Sequence, residues 1–187
     1  MGRSFANLHI KSKNFEKTVD ALKKLSESHP KLLGENEVQE TTVVMYVSKS
    51  NDWISVLHDY FVWGTVKKIG KTLSQLIEEP VMTAGYMNEE IFELSFFEKG
   101  DIQAERIFCE QWTRDEYEQL KEERLNDDYL RKALDIRNED FDDLSRITSP
   151  EQAVDKLSEL VKMSLWCNYE WIPYEEALRN RFEKRRF

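Results

Sequence analysis

Residues 86–108 read YMNEEIFELSFFEKGDIQAERIF, and the fold turns on how this stretch is parsed. Phe92, Leu94 and Phe96 alternate with Ile91, Glu93, Ser95 and Phe97, so an extended chain places one set of side chains on each side. Glu98-Lys99-Gly100-Asp101 interrupts the run, and Ile102 to Phe108 resumes it. The pattern predicts a β-hairpin with Gly100 as the left-handed residue of a bulged turn.

Working outward, Phe5 to Ile10 predicts a first strand. Phe15, Val19, Leu22 and Leu25 follow at helical spacing, with Asn14 placed as cap and His29-Pro30 as stop. Val38 to Val47 is rich in β-branched residues; Lys49 to Asp52 make a polar turn, and Trp53 to Leu57 predicts a returning strand. Val66, Ile69, Leu73, Leu76 and Ile77 recur at helical spacing, with Lys67, Lys68 and Lys71 on the wet face and Pro80 as the end. Val81 to Met87 then leads into the hairpin. The order β-α-β-β-α-β plus two strands predicts an α+β fold with a ferredoxin-like core extended by further antiparallel strands.

The remaining chain reads as helical over 114–125, 129–136, 150–166 and 174–182. Ser149-Pro150-Glu151-Gln152 is a strong helix start, pairing a cap residue with Pro in the first turn. The organisation expected is a sheet domain over 1–112 and a helical extension over 113–187 packed on it. With 187 residues, 40% hydrophobic and 12% aromatic residues including five Trp, and only six Gly and four Pro, the composition is that of a folded globule without long linkers.

Residues 88–100, Asn-Glu-Glu-Ile-Phe-Glu-Leu-Ser-Phe-Phe-Glu-Lys-Gly, carry a resemblance. Here a short acidic turn precedes an alternating apolar strand and a Gly turn. Across about residues 53–110 the chain resembles uncharacterised bacterial α+β proteins of unknown function. The resemblance implies the hairpin and a bacterial origin; it brings no activity.

Apolar runs such as Thr41 to Ser48 fall far short of the roughly 20 residues a membrane helix needs, and no apolar run of signal length follows Met1 to Ala6. Cys109 and Cys167 are two, far apart and in apolar settings, as expected of free thiols in a reducing compartment. The cytoplasm is the expected location. The net charge of −9 is uneven: residues 110–145 hold 13 acidic and 6 basic side chains, whereas 146–187 hold 7 and 8. Such a surface argues against nucleic acid and for a protein partner, above all a basic one.

Glu139-Asp140-Phe141-Asp142-Asp143 is the densest carboxylate cluster and reads as a solvated acidic loop. It lacks the Gly and closing Glu of a calcium loop, so no metal is expected; Asp140, Asp142 and Asp143 are candidates for a partner surface. Trp166, Tyr169, Trp171 and Tyr174 cluster around Pro173 and are either packing or interface residues. His9 on the first strand, His58 at the end of another and Cys109 are the candidates for a pocket. His58 and adjacent Asp59 would point to opposite faces of a strand and so would not pair. Arg179, Arg181, Lys184, Arg185 and Arg186 form a basic tail, read as a solvated or internally paired end.

The function expected is therefore a non-catalytic protein-binding module, of immunity or regulatory type, that uses no cofactor; a homodimer is compatible with this. The alternative is a small enzyme or ligand-binding domain with a pocket in the ferredoxin-like half.

Overall fold

Seven strands pair side by side, each antiparallel to its neighbours, in the order β6-β5-β4-β1-β3-β2-β7. They are β1 (Phe5–Lys11), β2 (Val44–Ser50), β3 (Trp53–Leu57), β4 (Val81–Met87), β5 (Ile91–Glu98), β6 (Asp101–Phe108) and β7 (Glu183–Arg186). The computed structural model of the chain describes residues 3–34, 43–118, 120–163 and 165–187; the part of the expected strand at 38–42 lies outside them. Helix α1 (Phe15–Ser28) connects β1 to β2, and α2 (Thr65–Leu73) connects β3 to β4. Each crossing therefore skips one strand: β3 lies between β1 and β2, and β1 between β3 and β4.

Local chemistry accounts for the element ends. Asn14 Oδ1 accepts from the Lys17 amide at 3.0 Å and so starts α1. The β5–β6 turn has two residues, Lys99 (φ 52°) and Gly100 (φ 82°), both left-handed. That conformation suits the right-handed twist of the flanking strands. The expected bulge is not in this turn; the register slips between Phe96 and Phe97 instead.

Both faces of the sheet are covered, which is why β1, β3, β4 and β5 are buried almost throughout rather than at alternate positions. On one face Leu8, Ile10, Ile54, Val56 and Val81 pack with Leu22 and Leu25 of α1 and Val66, Ile69 and Leu73 of α2. On the other, Phe5, Tyr86, Phe92, Leu94 and Phe96 pack with the second half of the chain. Three helices follow the short α3 (Gln111–Glu116) there. The cover comprises Leu130 and Leu134 of α4 (Asp127–Leu134), Phe141 and Leu144 of α5 (Asn138–Ser145), and Val154 and Leu157 of α6 (Pro150–Val161). Burying each such side chain contributes roughly 1.5–3 kcal/mol relative to exposure.

Two expectations for the second half are corrected. The helix expected over 114–125 is only the short α3. After it the chain runs along the outer edge of β6, where Arg124 C=O accepts from the Glu105 amide at 2.8 Å and Glu122 Oε1 from the Ile107 amide at 3.2 Å. These bonds occupy backbone groups that an edge strand would otherwise leave open. The expected acidic loop at 139–143 is part of helix α5. The basic tail follows α7 (Glu176–Arg181) as strand β7, paired with β2 from Val44↔Arg186 to Val47↔Glu183. Among the described residues, no helix is long and apolar enough to cross a membrane.

Candidate functional site

The described residues of 110–128 wrap the end of β6, and their surface mixes charged with large apolar side chains. The carboxylates Asp115, Glu116, Glu118, Asp127 and Asp128 are exposed or partly so, and among them stand Trp112 (56% exposed), Tyr117 (39%) and Leu125 (65%). Large apolar side chains that stay in water amid charges mark contact surfaces. Leu125 lines a cleft of about 360 Å³ whose wall mixes Ile107, Phe108, Cys109 and Ile147 with charged and polar side chains. Two arginines inside it are neutralised: Arg106 by Asp127 at 2.8 Å and Arg114 by Glu122 at 2.8 Å. The last residue of α5, Ser145, forms part of its wall, and the Ser145 carbonyl accepts from Arg106 at 3.2 Å.

The residues singled out from sequence fall in several places. Asp142 and Asp143 are exposed on α5, whereas Asp140 accepts from Arg137 Nε at 3.0 Å, which holds its carboxyl below the usual range. Trp166 Nε1–H donates to Asp155 at 2.6 Å, with the Arg3 guanidinium 4.4 Å from its ring. Trp166 and Trp171 both set their rings edge-on against Phe5. The Tyr169 ring lies 5.6 Å from that of Tyr46 and 6.4 Å from that of His58. No hydrogen bond, ion pair or ring contact among the described residues links Asp140, Asp142 and Asp143 to these aromatics.

His9, His58 and Cys109 have three separate surroundings. His9 is fully buried, with Nε2 2.6 Å from Asn7 Oδ1 and Nδ1 2.7 Å from Ser55 Oγ. The Asn7 amide group donates to the carbonyls of Leu165 (2.9 Å) and Cys167 (3.0 Å). Its oxygen must then face the ring, so His9 carries its proton on Nε2 and Nδ1 accepts from the Ser55 hydroxyl. Burial pushes the His9 pKa down to about 3. His58 Nδ1 accepts from the Tyr60 amide at 3.0 Å, and burial lowers its pKa to about 4 against the opposing charge of Asp59. Cys109 lies in the floor of the β6 cleft, where burial raises its thiol although the nearby Arg114 guanidinium pulls the other way.

A further site was not anticipated from sequence. Lys67 on α2 reaches across to β6, where its Nζ is 2.5 Å from Glu105 Oε2, and it lies 3.9 Å from Glu93 Oε1 on β5. Glu105 is 1% exposed and also accepts from Ser95 Oγ at 2.7 Å and from the Glu123 amide at 2.8 Å. Glu93 is 8% exposed, and no donor among the described residues hydrogen-bonds to it. Burial raises its pKa to about 7; Lys67 opposes the rise, and Glu105, Glu123 and Glu122 add to it. These groups edge a cleft of about 350 Å³ lined by Trp63, Gly64, Lys67, Lys68, Lys71, Glu93, Phe97 and Glu123. Gly85 on β4 gives Trp63 its place, since a Cβ there would come within 2.9 Å of the indole Cδ1. The available signal was polar residues, Glu93, Ser95 and Glu105, at alternate positions of strands otherwise built for burial.

Among the described residues, no three His, Cys, Asp or Glu side chains are grouped to hold a metal ion. Comparison with protein-family models, with curated proteins and with solved structures finds no match.

Proposed function

We propose that this chain is a cytoplasmic binding protein of immunity or regulatory type that docks a basic protein segment on the acidic surface around the end of β6. The observation that carries the reading is the set Trp112, Tyr117 and Leu125, exposed among carboxylates, with Leu125 at the wall of a mixed polar and apolar cleft. A partner side chain inserted beside Leu125 would supply apolar contact. The surrounding carboxylates, with Asp142 and Asp143 on α5, would supply steering and selection for positive charge.

The scaffold of the proposal is a ferredoxin-like core formed by β4-β1-β3-β2 with α1 and α2, extended by β5 and β6 on one side and β7 on the other. The two crossings, each skipping a strand, support that assignment, as does the packing of both helices on one face. Residues 113–187 are proposed as an extension of the sheet domain 1–112, and the resemblance over 53–110 supports a bacterial source.

The test is capture of partners from lysate at low and high salt, followed by titration of any purified basic partner against three proteins: wild type, Asp142→Lys/Asp143→Lys and Trp112→Ala/Leu125→Ala. Both variants alter exposed side chains, so folding should be retained. The expected result is a salt-sensitive complex weakened roughly tenfold or more by either variant. A complex indifferent to salt and to both variants would remove the proposal.

A further inference from the structure

We propose that the cleft between α2 and strands β5 and β6 binds a small organic anion with an aromatic body, its charged group against Lys67, Lys68 and Lys71 and its ring against Trp63 and Phe97. This cleft shares no lining residue with the cleft at the docking surface, so the two proposals stand or fall separately.

Four observations converge on it. Its volume of about 350 Å³ lies at the small end of ligand sites, which run from roughly 300 Å³ upward. Gly64, part of the lining, opens the nine-residue α2 without a side-chain cap; the Val62 carbonyl takes the Val66 amide, and no described carboxylate or hydroxyl caps the rest of the positive end. Lys67 and Lys71, one helical turn apart, bring like charges together, which an isolated helix disfavours. Lys67 is held by Glu105, but among the described residues no carboxylate forms an ion pair with Lys68 or Lys71. Finally, the Glu93 side chain is nine-tenths buried and lines the cleft; Lys67 stands 3.9 Å from it, and no donor among the described residues hydrogen-bonds to it.

Charge counting selects the sign of the ligand. Three lysines stand against Glu105 and Glu123, Glu122 being neutralised by Arg114, and Glu93 is the group that decides the balance. With Glu93 protonated the cleft is cationic by one charge, and its carboxyl O–H can donate to an anionic oxygen. Ionised, Glu93 cancels that excess and repels the same ligand. The charged groups facing Glu93 are Lys67 from α2, Glu105 from β6, and Glu122 and Glu123 from the strip beside β6. Burial among them places its titration at about 7, so affinity for an anion should fall between about pH 6 and 8.

The experiment is amide and indole NMR of the ¹⁵N-labelled full chain titrated with benzoate, phenyl phosphate, benzylamine and benzyl alcohol. The Trp63 indole signal is assigned with Trp63→Phe. Benzoate or phenyl phosphate should shift the Trp63 indole and the α2 amides at millimolar concentration. Which of the two binds more tightly tells whether a carboxylate or a phosphate is the natural anion. Lys68→Ala/Lys71→Ala, confined to side chains at the rim, should weaken binding roughly tenfold. Benzoate affinity should fall several-fold from about pH 6 to 8, and Glu93→Gln should abolish that fall. Benzylamine or benzyl alcohol binding as tightly as the anions would overturn the proposal. So would silence of the Trp63 and α2 signals with every probe, or an anion affinity unchanged in the lysine variant.

Discussion

Replacing Glu93 by glutamine should stabilise the protein at alkaline pH and leave it nearly unchanged in acid. Burial raises the Glu93 pKa from 4.5 to about 7, so the folded chain binds an extra proton between those values. The penalty is absent below about pH 4.5, grows as the pH rises, and is complete above about 7. With 1.36 kcal/mol for each unit, the full penalty is about 3 kcal/mol. The amide of the Glu93→Gln variant carries no charge to desolvate, so the variant should exceed wild type by about that much near pH 8. At 2–4 °C per kcal/mol for a chain of this size, its melting point should be roughly 6–12 °C higher. Urea unfolding of both proteins followed by Trp fluorescence at about pH 4.5 and 8 measures the effect. His9 and His58 titrate in both proteins and cancel in the comparison, as does any loss of packing caused by the amide. A stability difference that does not change with pH would refute the reasoning, because it would mean that Glu93 ionises as freely in the folded chain as in the unfolded one.

Lys67→Met leaves the buried Glu105 carboxylate with only Ser95 and the Glu123 amide, and should cost about 2–4 kcal/mol in urea unfolding. That is below the figure for a wholly buried pair because Lys67 is partly exposed. Adding Glu105→Gln should recover part of the loss, and a near-neutral Lys67→Met would refute the account. The His9 ring signals should not titrate above about pH 4, since the folded ring is held neutral with a pKa of about 3; a midpoint near 6.5 would contradict the Asn7–His9–Ser55 network. Because its folded pKa lies below the unfolded value, the His9 contribution to stability is complete above about pH 6.5 and is lost as the pH falls toward 3. Deleting residues 183–187 strips β7 from β2 and opens that sheet edge, so size-exclusion chromatography should show concentration-dependent self-association. An unchanged elution volume and melting point would show that β7 contributes nothing to the edge.

The hairpin was legible because period-two alternation in 91–98 and the Lys-Gly turn agree with each other. The start of α1 was legible because Asn14 caps it with its own side chain. What sequence concealed follows a physical pattern. Residues 120–124 have the composition of a helix, yet they form none, because Glu122 and the Arg124 carbonyl find better partners in the backbone of β6. The charged strand Glu183–Arg186 has no apolar alternation to betray it; an edge strand is held through its backbone. In α5 the spacing of Phe141 and Leu144 was the usable signal, hidden under four carboxylates. Of the candidate surfaces, the acidic excess was countable in advance. The exposure of Trp112 and Leu125 was not, because it depends on which neighbours the fold brings over them. Cys109 is a pocket candidate on its apolar setting and chemistry, and it does line a cleft; Lys67 reads from sequence only as part of a wet helix face.

Each face of the sheet carries a buried polar network, and the contrast between these two separates framework from function. On the side of α4 to α6, Asn7, His9 and Ser55 bond to one another, and Asn7 closes the set on the Leu165 and Cys167 carbonyls. Both ring nitrogens of His9 have partners, and the three side chains are buried. Such a closed set fixes how Leu165 and Cys167 seat on β1 and offers nothing to a ligand. On the side of α2, Lys67, Glu105 and Ser95 satisfy one another, but Glu93 is carried along without a donor among the described residues and at the edge of an open cleft. A carboxyl that costs about 3 kcal/mol at alkaline pH could be replaced by glutamine or leucine on a strand already flanked by Ile91 and Phe97 if packing were its only role. Its position beside Lys68 and Lys71, which no described carboxylate neutralises, is what a titratable lock on an anion requires, and this directs the first ligand search to the α2 cleft rather than to His9.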